Sequence, residues 1–332
     1  MVNDLLPRFP FRVEFEVTSV CNLDCTYCYA KPFSNQIIPL NEVKYLLKKT
    51  KDEANPFEMI IMGGEPFIRE DIIEILDFAS NLFKVIGIST NGTLINRLPK
   101  KELKLLKYIS KGSPILQISM DSLLPEINDK IRGKLEDVIK GLEILEDNGI
   151  PFGIGITLTK VNINDVDRSV NRLIGEYKNL KTINLENLQP TYSLGIEDFK
   201  SLKPTTEEMI NVYKSVHRSI RNASKSDVSL YGIFDECSSR NTLIPKNINM
   251  KTCLAGLIRA GIFVNGDVTP CLIIRDRILG NLYKKTWAEI WDKSVQEYKN
   301  IKDGGGQCYS CNLSDKKEQR NSKKIHLKIL NN

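Results

Sequence analysis

Ser19-Val20-Cys21-Asn22-Leu23-Asp24-Cys25-Thr26-Tyr27-Cys28-Tyr29 follows the apolar-alternating run Arg12–Thr18, and the reading of the whole chain turns on it. Three thiols spaced C-x3-C-x2-C on one short loop can hold three irons of a four-iron cluster and leave the fourth without a protein ligand. A purely structural cluster or zinc site wants four protein ligands, because an open coordination position admits water and chemistry. The missing fourth ligand is therefore the informative part. The alternative is a zinc loop whose fourth ligand lies elsewhere, since cysteine triplets recur in zinc modules.

Working outward from the loop, short β-branched runs alternate with helix-period segments. The expected strands are Arg12–Thr18, Glu58–Met62, Val85–Ser89, Ile115–Met120, Phe152–Thr159 and Thr182–Leu188. Helices are expected around 41–54, 70–82, 100–110, 135–148, 163–178 and 206–222. This alternation implies an α/β fold with a parallel sheet and crossover helices. Six units are too few for an eight-fold barrel and suit an open, partial (β/α)6 barrel, whose chemistry gathers where strands end and loops begin. The Cys21 loop, Gly63-Gly64-Glu65-Pro66, Thr90-Asn91-Gly92 and Ser119–Asp121 all fall at such ends.

The expected organisation is a barrel over 1–225, a connection over 226–250 and a small cysteine-rich domain over 251–332. That last part carries a hairpin turn at Asn265-Gly266 and a helix near Trp287–Tyr298. Five of the eight cysteines lie beyond residue 225. No apolar stretch is long enough to span a bilayer and no export segment opens the chain, so a cytosolic location without membrane attachment is expected. A reducing cytosol disfavours a disulfide framework and favours metal ligation. The net charge of +6 reads mainly as lysine-rich solvated helix faces such as 44–49, with a mild preference for an acidic substrate as the alternative. Nothing reads as a nucleic-acid-binding module.

Further motifs sharpen the chemistry. Bare glycines at Gly63 and Gly64 let a ligand approach the backbone, whose carbonyls can accept from an ammonium, and Glu65 adds a carboxylate. Arg132 offers a fork for a carboxylate and Ser119 a hydroxyl beside it. Toward the C-terminus, Cys253, Cys271 and the C-x2-C pair Cys308 and Cys311 make a closed four-thiolate site, for which zinc and a cluster satisfy the same arithmetic.

The three-cysteine spacing, with an aromatic residue just before the third cysteine, together with Gly63-Gly64-Glu65, Ser119 and Arg132, resembles the radical S-adenosylmethionine (SAM) superfamily. The segment from Cys253 through Cys271, Leu279-Gly280-Asn281 and Trp287 closely resembles the SPASM/twitch extension. A full SPASM domain adds cysteines beyond the C-x2-C pair. Residues 312–320 contain none, which favours the shorter, single-cluster twitch form.

The resemblance implies a radical-SAM barrel with a [4Fe-4S] cluster on Cys21, Cys25 and Cys28, open at one iron, and one auxiliary [4Fe-4S] cluster on Cys253, Cys271, Cys308 and Cys311. It implies that SAM contacts Tyr27, Gly63, Gly64, Glu65, Asn91, Ser119, Arg132 and the end of strand five near Leu158. The implied reaction is reductive cleavage of SAM to a 5′-deoxyadenosyl radical that removes a substrate hydrogen, with electrons from a reductant such as ferredoxin or flavodoxin.

Oxidative modification of a peptide is the first reading of the substrate. Because the barrel begins close to Met1, that reading needs a leader-binding partner or a leaderless peptide. The runner-up is a small-molecule dehydrogenase, epimerase or cofactor-biosynthesis enzyme. A non-catalytic electron-transfer module would have no need of Glu65, Ser119 and Arg132 together. Cys237 is left over. It reads first as a packed or spare thiol, and alternatively as a catalytic thiol that quenches a substrate radical.

Overall fold

The structure is a computed structural model that describes residues 8–31, 36–110, 115–189, 194–223, 228–234, 249–252, 255–275 and 277–302 of the 332-residue chain. Six parallel strands form its centre: β1 (Arg12–Thr18), β2 (Glu58–Gly63), β3 (Val85–Thr90), β4 (Leu116–Ser119), β5 (Phe152–Leu158) and β6 (Leu180–Asn187). The crossovers carry α1 (Leu40–Glu53), α2 (Ile72–Ser80), α3 (Lys100–Ser110), α4 (Pro125–Ile131), α5 (Leu135–Asp147) and α6 (Val166–Glu176). After β6 come α7 (Ile196–Leu202) and α8 (Thr206–Asn222), which opens with a capping box between Thr205 and Glu208. Two strands follow within or beside the segment read from sequence as a connection. They are β7 (Ser229–Phe234), parallel to β6, and β8 (Asn249–Thr252), parallel to β7.

Strands β1 to β8 neighbour one another in chain order. Right-handed crossovers between consecutive parallel strands put every helix on one face of such a sheet, which makes it a partial barrel and not a doubly wound sheet. The side chains obey this. Val13, Phe15 and Val17 of β1, Ile154, Ile156 and Leu158 of β5, and Leu46, Leu47, Ile75 and Leu76 of the helices belong to one apolar core. The alternate positions, among them Glu14, Glu16, Gln117, Ser119, Gly155, Asn184 and Glu186, point to the opposite, inner face.

The C-terminal part joins the same sheet at its other edge. Strand β9 (Arg259–Ile262) runs parallel to β1, and β10 (Asp267–Thr269) returns antiparallel to β9 around the expected turn at Asn265-Gly266. Strand β11 (Gly280–Asn281) completes an eleven-stranded order among the described residues. Helix α9 (Trp287–Lys302) lies on α1, where the buried indole of Trp287 donates to Thr50 Oγ1 at 3.1 Å and its backbone N–H to Glu53 Oε2 at 2.9 Å. The hairpin and helix expected of a small C-terminal unit are thus present, and the hairpin extends the barrel sheet. No helix among the described residues is long and apolar enough to cross a membrane.

Candidate active site at the carboxyl ends of β1 to β5

Cys21, Cys25 and Cys28 sit half-buried on the loop that leaves β1. The backbone of Leu23 donates to Cys21 Sγ at 3.4 Å, and the Cys25 thiol lies 4.0 Å from the carbonyl oxygen of Arg132. Thr26 N–H donates to Ile131 O at 2.9 Å, so the loop is pinned to the end of α4. Burial pushes the Cys21 thiol up to about 11, with Glu65 and the other two thiols adding to the effect, and burial likewise raises Cys25. Three thiols on one short loop make a soft sulfur donor set of the kind that iron–sulfur clusters use. The donor set therefore fits an iron site.

Beside the loop, β2 ends in Gly63-Gly64-Glu65. A Cβ on Gly63 would lie 2.3 Å from Thr18 O, and one on Gly64 would lie 2.2 Å from Val20 O. The glycines are thus required where two backbones meet, and Gly64 N–H and Glu65 N–H both donate to the β1 side at 2.8 Å. The Glu65 side chain is fully buried. Its Oε1 accepts from Phe67 N–H at 3.0 Å and Thr90 Oγ1 at 2.7 Å, and its Oε2 accepts from Asn91 N–H at 2.6 Å. Both carboxylate oxygens are therefore engaged in tying β2 to β3. Burial pushes this carboxyl up to about 7 against the opposing pull of its three donors. Asn91 reaches back to the thiol loop, donating to Asn22 Oδ1 at 2.9 Å.

Asp121 forms the second junction. It has no solvent exposure, and one oxygen accepts from both the Tyr27 hydroxyl and Arg132 Nε, the latter at 3.0 Å. The other oxygen accepts from Thr157 N–H of β5 at 2.9 Å. Arg132 caps α4, and its guanidinium carbon lies 5.3 Å from the centre of the Tyr27 ring. The neighbouring Asp121, Tyr27 and Cys25 hold its pKa above the ordinary arginine range although burial opposes them. Only Nε is committed to Asp121 among the described contacts, which leaves the terminal fork able to meet a carboxylate.

The structure thus brings Tyr27, Gly63, Gly64, Glu65, Asn91 and Arg132 together around the three cysteines, with Ser119 on the inner face at the end of β4. Leu158 differs from the expectation. Its side chain is wholly buried on the helix-facing side of β5, because Gly155 and Thr157 take the inner positions. Sequence reasoning left Asp121 without a role; its place two residues after Ser119, just past a strand end, was the available signal. Of the expected auxiliary ligands, Cys271 is buried at the start of the loop after β10. Cys253, Cys308 and Cys311 lie outside the described residues, as does Cys237.

Two family models match the chain. One, described as the Radical SAM superfamily, matches residues 15–173, and one, described as an iron-sulfur cluster-binding (SPASM) domain, matches 253–312. A probable GTP 3′,8-cyclase of Methanosarcina acetivorans is 30% identical over 84% of this chain and 82% of its own length. An AdoMet-dependent heme synthase of Oleidesulfovibrio alaskensis is 26% identical over 90% of this chain and 79% of its own. The mycofactocin maturase MftC of Mycolicibacterium smegmatis is 27% identical over 92% and 76%, respectively. In fold, the chain is similar to the crystal structure of Streptococcus suis SuiB bound to precursor peptide SuiA, with a TM-score of 0.70 at 20% identity. That match covers 93% of this chain and 71% of that one.

Replacing Asp121 with Asn leaves the Arg132 charge without its buried partner, so the variant should lose about 3–5 kcal/mol of stability, read by chemical denaturation. Glu65 yields a pH test. Its folded value near 7 lies above its ordinary 4.5, so its contribution is full below about 4.5 and is lost as the pH rises through 7. Stability compared at pH 5 and pH 8 should therefore fall more in the wild type than in Glu65→Gln.

Proposed function

The chain belongs to the radical SAM superfamily, and from that premise we propose that it is a maturase that oxidatively modifies a peptide. As a member it is a radical SAM enzyme, with SAM, a [4Fe-4S] cluster and an auxiliary iron–sulfur cluster as cofactors. When bound, these cofactors supply one-electron chemistry able to remove an unactivated hydrogen.

In the proposed site Cys21, Cys25 and Cys28 hold the cluster that cooperates with SAM. The backbone at Gly63 and Gly64 receives the SAM amino group, and the fork of Arg132, with Ser119 beside it, receives the carboxylate. Tyr27 and Asn91 border the adenosyl part. Glu65 acts one step back, fixing the β2 and β3 ends that carry these groups. Cys271, with Cys253, Cys308 and Cys311, is proposed to hold the auxiliary cluster, and four protein ligands there suit it to accept an electron from the substrate. The proposed partners are a ferredoxin- or flavodoxin-like reductant and, for a peptide with a leader, a leader-binding protein.

The observation that carries the site is the convergence of the thiol loop, the Gly63–Glu65 turn and Arg132 on the same strand ends, held there by two buried carboxylates. The peptide reading is supported by the likeness to MftC over nearly the whole chain. The likeness to a probable GTP 3′,8-cyclase favours a small-molecule substrate as the second reading.

Two experiments test the proposal. Arg132→Ala should weaken SAM binding to the anaerobically reconstituted protein by about 1.5–3 kcal/mol, and unchanged affinity removes Arg132 from the site. If a short peptide is encoded beside the gene, its co-expression with this protein should yield a peptide lighter by two hydrogens, read by mass spectrometry. Unmodified peptides, together with turnover of a small metabolite in the same extract, would transfer the assignment to the second reading.

A further inference from the structure

The buried amide of Asn91 has a job that its place at the mouth of β3 does not by itself reveal. It closes a ring of hydrogen bonds with Thr93 and with Asn22, the residue after Cys21. Asn91 Oδ1 accepts from the Thr93 hydroxyl at 2.7 Å and from Thr93 N–H at 3.0 Å. The Thr93 hydroxyl in turn accepts from Asn22 Nδ2 at 2.8 Å, and Asn22 Oδ1 accepts from Asn91 Nδ2 at 2.9 Å. Every donor in the ring meets an acceptor. Turning the Asn91 amide over would set its nitrogen against two donors, so the ring fixes which end faces the thiol loop.

That end is Nδ2, which carries two hydrogens. One goes to Asn22, and Nδ2 also lies 3.9 Å from Cys21 Sγ, within reach of a hydrogen bond to sulfur. Cys21 Sγ accepts from Leu23 N–H as well, at 3.4 Å. Oδ1 has both lone pairs engaged and Nδ2 both hydrogens, so the amide has nothing to spare for SAM. The backbone of the same residue works separately, since its N–H goes to Glu65 Oε2 at 2.6 Å. Asn91 is 7% exposed and Thr93 1%, and in such surroundings a hydrogen bond is electrostatically stronger than in water.

Hydrogen bonds to the sulfurs are among the factors that set the potential of an iron–sulfur cluster. A donor aimed at a ligating thiolate favours the state with more negative charge, which is the reduced one. We propose that Asn91 is a positioning residue that acts through the Cys21 sulfur to raise the reduction potential of the cluster, with Asn22 and Thr93 aiming its amide. The step it eases is the entry of one electron from the ferredoxin- or flavodoxin-like reductant, with no bond made or broken. The inference rests on the reading that Cys21 holds an iron, and deepens it.

The test is a potentiometric titration of the reconstituted holoenzyme without SAM, read by electron paramagnetic resonance on the signal that SAM is found to shift. Asn91→Leu keeps the size of the side chain and removes its donors. Its potential should fall, so that at a fixed solution potential the ratio of reduced to oxidised cluster drops about tenfold, or about 59 mV for one electron. Asn91→Ala serves in its place if the leucine variant does not load iron. Asn22→Ala breaks the ring on the thiol loop itself but leaves the Asn91 donor held by Thr93, so its potential should stay near that of the wild type. An unchanged potential in the Asn91 variants overturns the proposal. So does an equal fall in Asn22→Ala, which would trace the effect to a loosened loop. A Cys21→Ala protein that keeps the SAM-responsive signal instead overturns the ligand assignment, and the proposal with it, before any potential is compared.

Discussion

The site hangs on one buried carboxylate. Asp121 has no access to solvent, and burying such a charge is costly unless it is paired and fully hydrogen-bonded. The fold meets that demand from three directions: the Tyr27 hydroxyl on the thiol loop, the Arg132 guanidinium at the end of α4, and the Thr157 amide of β5. None can shift without exposing the carboxylate to an unmet hydrogen bond. The loop that carries three cysteines is therefore set in register with the arginine proposed for the SAM carboxylate. Glu65 does the same work between β2 and β3 through Phe67, Thr90 and Asn91. Two acids thus hold the mouths of five strands, and neither is left with an oxygen to spare for direct chemistry.

The C-terminal part matters to this site through more than its cysteines. By adding β9 to the free edge of β1, it brings Arg259 to Glu14 and Arg275 to Glu16, two ion pairs on the inner face. Arg275 lies 4.4 Å from the Phe263 ring centre and 5.8 Å from that of Tyr29, the residue that follows Cys28 in the thiol loop. The loop after β10, which contains Cys271, and the loop after β1 are therefore in contact through one buried arginine. Guanidinium suits that place because it can stack on rings while its fork meets a carboxylate.

Much of the fold was legible in the chain because outer and inner faces obey different rules. The alternating runs at β1, β2 and β3 and the long amphipathic helices α3 and α8 fell where the apolar periodicity placed them. Helix α4 did not, since seven residues at Pro125–Ile131 are too few to show a period. Strand β5 is buried on both faces, yet its run Phe152-Gly153-Ile154-Gly155-Ile156-Thr157-Leu158 alternates bulky with small residues, a pattern that places Leu158 with Ile154 and Ile156 on the helix-facing side. The cysteines, the two glycines and Arg132 were legible because each residue type carries its own chemistry. The reason for the glycines was not: it lies in the backbone of β1, which presses on them from 45 residues away in the case of Thr18 and Gly63. Asp121 and Arg275 were silent because their meaning rests on partners distant in sequence, which no local spacing records.

The account's central claim is that the three cysteines after β1 hold a cluster with one iron open to SAM. Low-temperature electron paramagnetic resonance of the anaerobically reduced protein, recorded with and without SAM, tests it most directly. The account predicts a cluster signal that shifts when SAM is added, and a Cys28→Ala protein in which that SAM-sensitive signal is missing. A reduced spectrum that SAM leaves unchanged, or one that survives in the Cys28→Ala protein with its SAM response intact, would contradict it.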